Sequence, residues 1–370
     1  MDTAAARTAR RHAFHPLRVA AIDRLTADAV AVTFAVPPEL AEDYRFQAGQ
    51  HLTLRAVIDG QDIRRSYSIC SPATSGTLRV AVKRLDGGVF SAWVHDGLRV
   101  GDTVEVMTPS GRFVLPPRPG AGAVHRCAFA AGSGITPVLS IVATALERER
   151  DSTFTLVYGN RTTGDVMFLE DLADLKDRYP DRLQIVHVLS REPQESDLLT
   201  GRIDRAKVER LLDTVMAPET VDEWFLCGPY RMVESVRASL LEAGVPASRV
   251  HVELFRVEGE PAAPERAAAA SLPGTGTASS TVSVVLDGRR TTVAVDPSRE
   301  HVLDAVLRVR PDAPYACKGG VCGTCRAKVV AGEVDMATNY ALEPDELAAG
   351  FVLACQARPR SATVHLDFDA

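Results

Sequence analysis

The chain has little lysine, few aromatics and no long apolar run. Only five of its 42 basic residues are lysine and aromatics make up 6% of its 370 residues. The Arg and Ala richness reads as codon composition, not function. No stretch of about eighteen apolar residues occurs, which excludes a helical membrane span. No apolar core follows the basic, Ala-rich residues 1–11, so a secretion signal is not expected. That start is read as a frayed terminus and the chain as cytoplasmic. A basic surplus is missing as well: the net charge is −6, which argues against a nucleic-acid-binding surface. An even, dispersed cysteine set is also absent. Of seven cysteines, four crowd into the last quarter, a pattern of metal ligands in a reducing compartment, not of a disulfide framework. What is present is an ordinary globular composition, 46% apolar and 24% charged, with length enough for two or three domains.

Texture divides the chain. Residues 14–118 carry short β-rich runs, HLTLRAVI, RRSYSIC, LRVAVKRL and DTVEVMTP, punctuated by Gly, Pro and Asp. They predict an antiparallel β-barrel or sandwich. Residues 123–257 alternate apolar strands (CAFAAG, TFTLVYGN, LQIVHVLS, EWFLCGP) with helical patterns. Helices are expected from Ile135, from Asp165 through Leu175, and from Met232 to Ala243, giving a doubly wound parallel α/β sheet. Residues 258–281 are Ala, Pro, Gly, Ser and Thr with almost no large apolar residue. They read as a flexible linker of roughly 25–30 Å r.m.s. span. In residues 282–370, Asp287-Gly288 between two β-rich runs predicts a hairpin. A short helix from His301, a cysteine loop and a last strand ATVHLDF complete the order of a β-grasp (α+β) fold.

The strongest chemical signal is Cys317, Cys322 and Cys325 at C-x4-C-x2-C spacing, followed by Cys355. That is the spacing of plant-type [2Fe–2S] ferredoxins. Three thiolates from one tight loop require close backbone wrapping, which Gly319, Gly320 and Gly323 allow. A structural zinc site is the alternative, but zinc sites usually pair C-x2-C units. A one-electron cluster needs a carrier that accepts a hydride pair from NAD(P)H and releases electrons singly, which a flavin does. Within the β-rich region, Arg65, Ser66, Tyr67 and Ser68 offer a pyrophosphate partner, a ring for the isoalloxazine and a hydroxyl for flavin N5. An ordinary strand also accommodates the run. Gly88, Val89, Phe90 and Ser91 precede the helical AWVHDGL and offer backbone N–H groups and a hydroxyl to a phosphate.

Gly132, Ser133, Gly134, Ile135, Thr136 and Pro137 follow a strand and open a helix, with Thr136 expected as N-cap and Pro137 at the first helical position. The run departs from G-x-G-x-x-G and reads either as a dinucleotide pyrophosphate site or as a plain strand–helix turn. Ser190 and Arg191 end a later strand, where Arg191 is a candidate for a 2′-phosphate, with Arg161 a second candidate. Cys227, Gly228 and Pro229 end another. Cys227 stands either beside the nicotinamide or in the core. Glu253 and Phe255 close over a flavin or finish an edge strand. Ser68, Cys227 and Glu253 are the candidate catalytic residues. Cys70 and Cys127 read as core, and none of the nine histidines shows ligand or triad spacing.

In order and spacing, RSYS, GGVFS, GSGITP, CGP and VELF resemble the ferredoxin–NADP⁺ reductase superfamily. With a C-terminal plant-type ferredoxin domain, the chain resembles the reductases of multicomponent oxygenases. It is most similar to those of the phenylacetyl-CoA epoxidases of phenylacetate degradation, through YRFQAGQHLTL, AAGSGITPVLSI, YGNRTTGDVMF, SDLLTGRID, PYACKGGVCGTC and NYALEPDELAAGFVLACQARP. The resemblance implies an FAD-binding β-barrel, an NAD(P)-binding α/β domain and a [2Fe–2S] domain. By it, Arg65, Tyr67, Ser68, Val82, Lys83 and the Gly88–Ser91 stretch bind FAD. Gly132, Gly134, Ile135, Thr136, Pro137, Arg161, Ser190, Arg191, Cys227, Gly228 and Pro229 face NADPH, Phe255 covers the flavin, and the four cysteines hold the cluster. It implies a di-iron oxygenase as electron acceptor. Lys318, Arg326 and Lys328 near the cysteine loop lead to the expectation of an acidic docking face on that partner. A reductase serving a ring or steroid hydroxylase, or an iron–sulfur redox sensor, are the alternative readings.

Overall fold

The computed structural model describes residues 13–117, 122–255 and 279–370. The expected frayed start and residues 258–278 of the expected linker lie outside the described residues. No described helix is long and apolar enough to cross a membrane.

A six-stranded sheet comes first, built from β1 (Phe14–Thr26), β2 (Ala29–Ala35), β3 (His51–Ile58), β4 (Gln61–Ser68), β5 (Leu78–Lys83) and β6 (Thr103–Met107), with α1 (Val89–Asp96) between the last two. The order is β4-β3-β6-β1-β2-β5. An antiparallel bridge from Ile69 to Val80 joins the two outer strands and closes the barrel. Closure removes the unpaired edges an open sheet would expose. Strand alternation gives each strand two faces. Val32, Phe34, Leu78, Val80 and Val82 fill the barrel core, whereas Ala29, Ala31 and Ala81 on the same strands point outward. Those small side chains let the next layer approach closely.

That layer is a five-stranded sheet of β7 (His125–Ala131), β8 (Thr153–Asn160), β9 (Leu183–Leu189), β10 (Glu223–Gly228) and β11 (Val250–Leu254). Every pairing is parallel and the order is β11-β10-β7-β8-β9. Helices α2 (Ile135–Arg148) and α3 (Leu169–Arg178) cover one face, and α4 (Arg205–Thr214) and α5 (Tyr230–Glu242) the other. Both faces are covered, so the central strands β7, β8 and β10 are mostly apolar and buried, as parallel sheets require. The barrel shares a core with this sheet. Ala29, Ala31, Cys70, Ala81 and Phe113 pack with Ile135, Ile141 and Phe225, and Ser140 Oγ donates to Ser71 O at 2.7 Å.

Several local expectations shift. The sequence reading did not include α4, although Val208, Leu211 and Leu212 recur at helical spacing and Asp204 caps it, accepting from the Lys207 N–H at 3.0 Å. Thr136 is not an N-cap. A 3₁₀ turn over Gly132–Gly134 brings the backbone into helical conformation early, so α2 starts at Ile135. Thr136 Oγ1 donates back to Ser133 O at 3.0 Å, and Pro137 sits inside the first turn, where its missing N–H costs nothing. The helix expected from Asp165 begins at Leu169, after a separate 3₁₀ turn at Thr163–Asp165.

The remaining residues form a mixed sheet of β12 (Ser280–Leu286), β13 (Arg289–Val295), β14 (Arg326–Ala331), β16 (Phe351–Leu353) and β18 (Thr363–Asp367). They add a two-stranded ribbon of β15 (Val334–Met336) and β17 (Ala357–Pro359), and helices α6 (Val302–Val309) and α7 (Pro344–Ala348). Sheet order is β13-β12-β18-β14-β16, with β12 and β18 parallel and the other pairs antiparallel. Asp287 and Gly288, at φ 52° and 68°, make the expected two-residue turn. Strand β12 takes up Ser280 and Thr281, two residues of the stretch read as linker. Val302, Leu303 and Val306 of α6 bury against Val282, Val284 and Leu366, which is the β-grasp arrangement.

Candidate functional site

In the parallel sheet the order reverses between β7 and β10, so a crevice opens beyond their carboxyl ends, where ligands of doubly wound sheets bind. Two motifs meet there. Residues 132–137 follow β7, and Cys227 and Gly228 finish β10, with Pro229 capping the helix that follows. They touch through Gly134: a Cβ on it would lie 2.2 Å from the Cys227 carbonyl oxygen. Only glycine permits that approach. Gly132, at φ 53°, has open space where a side chain would be. It is half-buried, as is Ser133, whereas Gly134, Ile135, Thr136 and Pro137 are buried and Pro229 is exposed.

The three candidate catalytic residues come together beside this crevice. Cys227 and Glu253 are register partners across the parallel pair β10–β11. Ser68, at the end of β4, donates its hydroxyl to Glu253 Oε2 at 3.2 Å. Burial pushes the Glu253 carboxyl up to about 8, with the Ser68 hydroxyl pulling the other way. Glu253 is therefore mostly protonated at neutral pH. Burial, and then the neighbouring Glu253, push the Cys227 thiol well above its ordinary value, so it stays a neutral thiol. Cys227 is fully buried, and Phe255 packs on the same apolar cluster.

On the barrel side, Arg65, Ser66 and Tyr67 are half-buried residues of β4. The Tyr67 ring lies 5.9 Å from the Phe90 ring, tilted. Helix α1 begins at Val89, earlier than AWVHDGL implied, and Gly88 is its N-cap. Phe90 is thereby buried in the barrel core. The Ser91 hydroxyl is engaged inside the turn, donating to Gly88 O at 3.0 Å and accepting from the Leu85 N–H at 3.1 Å. Val82 likewise turns its side chain into the core.

The candidate phosphate ligands differ in their surroundings. Arg161, just after β8, pairs with Asp28 at 3.2 Å and closely with Asp165, and Asp28 also pairs with Lys83 at 3.3 Å. Two carboxylates thus already balance Arg161 and Lys83. Ser190 and Arg191 lie alongside, Ser190 N–H donating to Asn160 O at 2.9 Å and Arg191 N–H to Arg161 O at 2.7 Å. Arg191 is exposed. Sequence alone did not separate these two arginines, because Asp28 lies 133 residues from Arg161.

The cysteine loop is a second centre. Gly320 and Gly323 take φ 76° and 67°, and Lys318 takes φ 51°. A Cβ on Gly320 would come within 3.0 Å of Thr338 O. The loop therefore wraps as the sequence implied. The Cys322 thiol hydrogen-bonds Cys317 and holds its thiol down to about 5, against burial; backbone N–H groups of Gly319, Val321 and Cys322 add to this. Cys325 does the same for Cys355, holding it below its ordinary value. Among the described residues no three His, Cys, Asp or Glu side chains converge as ligands of a single ion would. The cysteines approach two by two, Cys317 with Cys322 and Cys325 with Cys355, which fits two irons with two thiolates each. The surrounding charge differs from expectation. Lys318 pairs with Asp304 at 2.9 Å and Arg326 with the buried Glu346 at 2.9 Å. Carboxylates missed in the sequence reading thus offset two of the three positive charges.

Comparison with known proteins bears on both centres. Residues 16–115 match the family described as oxidoreductase FAD-binding domain, residues 129–238 the oxidoreductase NAD-binding domain, and residues 284–360 the 2Fe-2S iron-sulfur cluster binding domain. The chain is 47% identical to one of the subunits of the 1,2-phenylacetyl-CoA epoxidase of Escherichia coli (strain K12), over 96% of this chain and 98% of that one. It is 35% identical to the ferredoxin reductase component of 3-ketosteroid-9-alpha-monooxygenase of Rhodococcus rhodochrous, over 95% and 96%. Among solved structures, phthalate dioxygenase reductase superposes with a TM-score of 0.57 at 25% identity, covering 96% of this chain and 98% of that one.

Proposed function

The chain belongs to the family of FAD- and [2Fe–2S]-dependent oxygenase reductases that includes this component of the phenylacetyl-CoA epoxidase, and from that premise we propose that it passes electrons from NADPH to a di-iron oxygenase that epoxidises phenylacetyl-CoA. The observation that carries this reading is the 47% identity running through nearly the whole of both chains. The 35% identity to the ketosteroid reductase supports a second reading, the same machine serving another oxygenase. The proposal divides the chain into an FAD domain at 14–118, an NAD(P) domain at 123–257, a linker and a ferredoxin domain at 282–370.

FAD, when bound, accepts a hydride pair and releases electrons singly, and the cluster relays them one at a time. The protein supplies orientation. Arg65, Tyr67 and Ser68 would hold FAD, with Ser66, Val82 and Lys83, and with the first-turn N–H groups of Val89, Phe90 and Ser91 in the helix that Gly88 caps, the Gly88 N–H itself donating to Leu85 O at 3.0 Å. The turn at Gly132 and Gly134, the first turn of α2, and Cys227, Gly228 and Pro229 hold the dinucleotide. The adjacent Ser190 and Arg191 take its 2′-phosphate, and Arg161 stands behind them, steadied by Asp28 and Asp165. Ser68 Oγ and the Glu253 carboxyl, hydrogen-bonded to each other and neutral at pH 7, would hold a proton beside the flavin. The Cys227 thiol would fill space beside the nicotinamide without adding charge. Phe255 would cover the flavin face. Cys317, Cys322, Cys325 and Cys355 are the cluster ligands.

The test mixes the holoenzyme and NADPH with a phenylacetyl-CoA oxygenase or with a 3-ketosteroid oxygenase, and assays product. Epoxide formation supported far better than steroid hydroxylation is expected. The reverse preference overturns the assignment of the partner.

A further inference from the structure

Gln356 follows the ligand Cys355 and is 9% exposed. Its backbone is fixed on both sides: its N–H donates to Leu353 O at 2.8 Å and its carbonyl accepts from the Ala337 N–H at 3.0 Å. The side-chain amide nitrogen makes two contacts. It donates to Lys318 O at 3.0 Å and to Cys355 Sγ at 3.6 Å. Both partners are acceptors, so the orientation of the amide is determined: a flip would set its oxygen against a carbonyl and a sulfur. Cγ packs on the loop itself, since a Cβ on Gly320 would stand 3.2 Å from it. The carbonyl it holds belongs to Lys318, a left-handed non-glycine residue. One amide thus ties the late ligand, Cys355, to the loop that carries the other three.

We propose that Gln356 is a positioning residue that sets the reduction potential of the cluster, by donating an N–H···S hydrogen bond to Cys355 while clamping the Lys318 carbonyl. Such a bond withdraws negative charge from the ligating sulfur. It therefore favours the reduced cluster, which carries one more negative charge than the oxidised one, and raises the potential. The consequence is directional. Gln356 makes the cluster a better acceptor from the flavin and a milder donor to the partner.

The experiment is a redox titration of the purified holoenzyme, following the visible absorbance and the EPR signal of the reduced cluster. Gln356→Leu removes the donor. It is expected to lower the equilibrium constant for cluster reduction about fivefold, a size typical of one hydrogen bond, or about 40 mV for a one-electron couple. Gln356→Glu keeps the shape, removes both N–H donors and adds charge, so its fall should be larger. Full iron and sulfide content with an unchanged potential in both variants overturns the inference. If the variants lose the cluster, the unmutated protein decides. With glutamine side chains labelled with ¹⁵N, the reduced cluster should show hyperfine coupling to one amide nitrogen, and its absence overturns the proposal. The inference rests on Cys355 being a ligand. That reading fails separately, if Cys355→Ser retains the wild-type EPR spectrum.

Discussion

Replacing Glu253 by Gln tests whether this carboxyl is neutral in the folded protein. Its value of about 8 stands against an ordinary value of 4.5. A gap of that size amounts to about 5 kcal/mol against the ionised form for a fully enclosed group, at about 1.4 kcal/mol per pH unit. Glu253 keeps some solvent access, and screening brings the expected effect to about 2–3 kcal/mol. Below pH 4.5 both the folded and the unfolded chain hold the proton. Between 4.5 and about 8 the folded chain keeps a proton that the unfolded chain has released. Wild-type stability should therefore fall as pH rises through this window and level off above it. Glutamine does not ionise, so Glu253→Gln should lack this slope and gain on the wild type by about 2–3 kcal/mol between pH 5 and pH 8.5. Urea unfolding of the FAD-loaded protein at half-unit pH steps measures the difference. Both tryptophans, Trp93 in α1 and Trp224 in β10, report from the barrel and the parallel sheet. A wild-type-minus-variant difference that stays flat across this range refutes the burial argument.

Two further outcomes are expected. Arg191→Gln should weaken NADP⁺ binding by about ten- to a hundredfold, the worth of a charge-assisted contact, and leave NAD⁺ binding unchanged. Equal loss for both nucleotides in a fluorescence titration would remove the 2′-phosphate from its role. Gly134→Ala places a methyl group 2.2 Å from the Cys227 carbonyl, so the two motifs must part. FAD reduction by NADPH in stopped flow should then slow by about two orders of magnitude, as a misplacement on this scale does, while the cluster spectrum stays intact. A wild-type rate would show that the close approach is unimportant.

Much of the architecture could be read from local patterns. Parallel strands covered on both faces leave largely apolar runs such as TFTLVYGN, which became β8 without a change of boundary. The two-residue turn at Asp287 and Gly288 is equally local. The cysteine spacing pointed to a cluster because three of the four cysteines share one loop. What stayed hidden depends on partners distant in sequence. Arg161 looked like a ready phosphate ligand until Asp28 came beside it from the barrel. Ser91 looked like a free hydroxyl, but its helix starts one turn early and draws it inward. Lys318 and Arg326 read as a basic patch, yet Asp304 and Glu346 offset them. A charge in a sequence has a sign but no neighbours, and the neighbours decide what it can still bind.

The barrel and the parallel sheet meet through Ala29, Ala31, Ala81 and Phe113 on one side and Ile141 and Phe225 on the other. A junction sunk into a common interior leaves no seam at which to cut. Chimaeras that join a barrel from one relative to a dinucleotide domain from another, crossing between Phe113 and Val124, would have to rebuild that interior at once. The unit that can be exchanged intact is therefore the pair. On the role proposed for Arg191, a change of nucleotide preference would be sought by substitution at its rim, and not by grafting a new half.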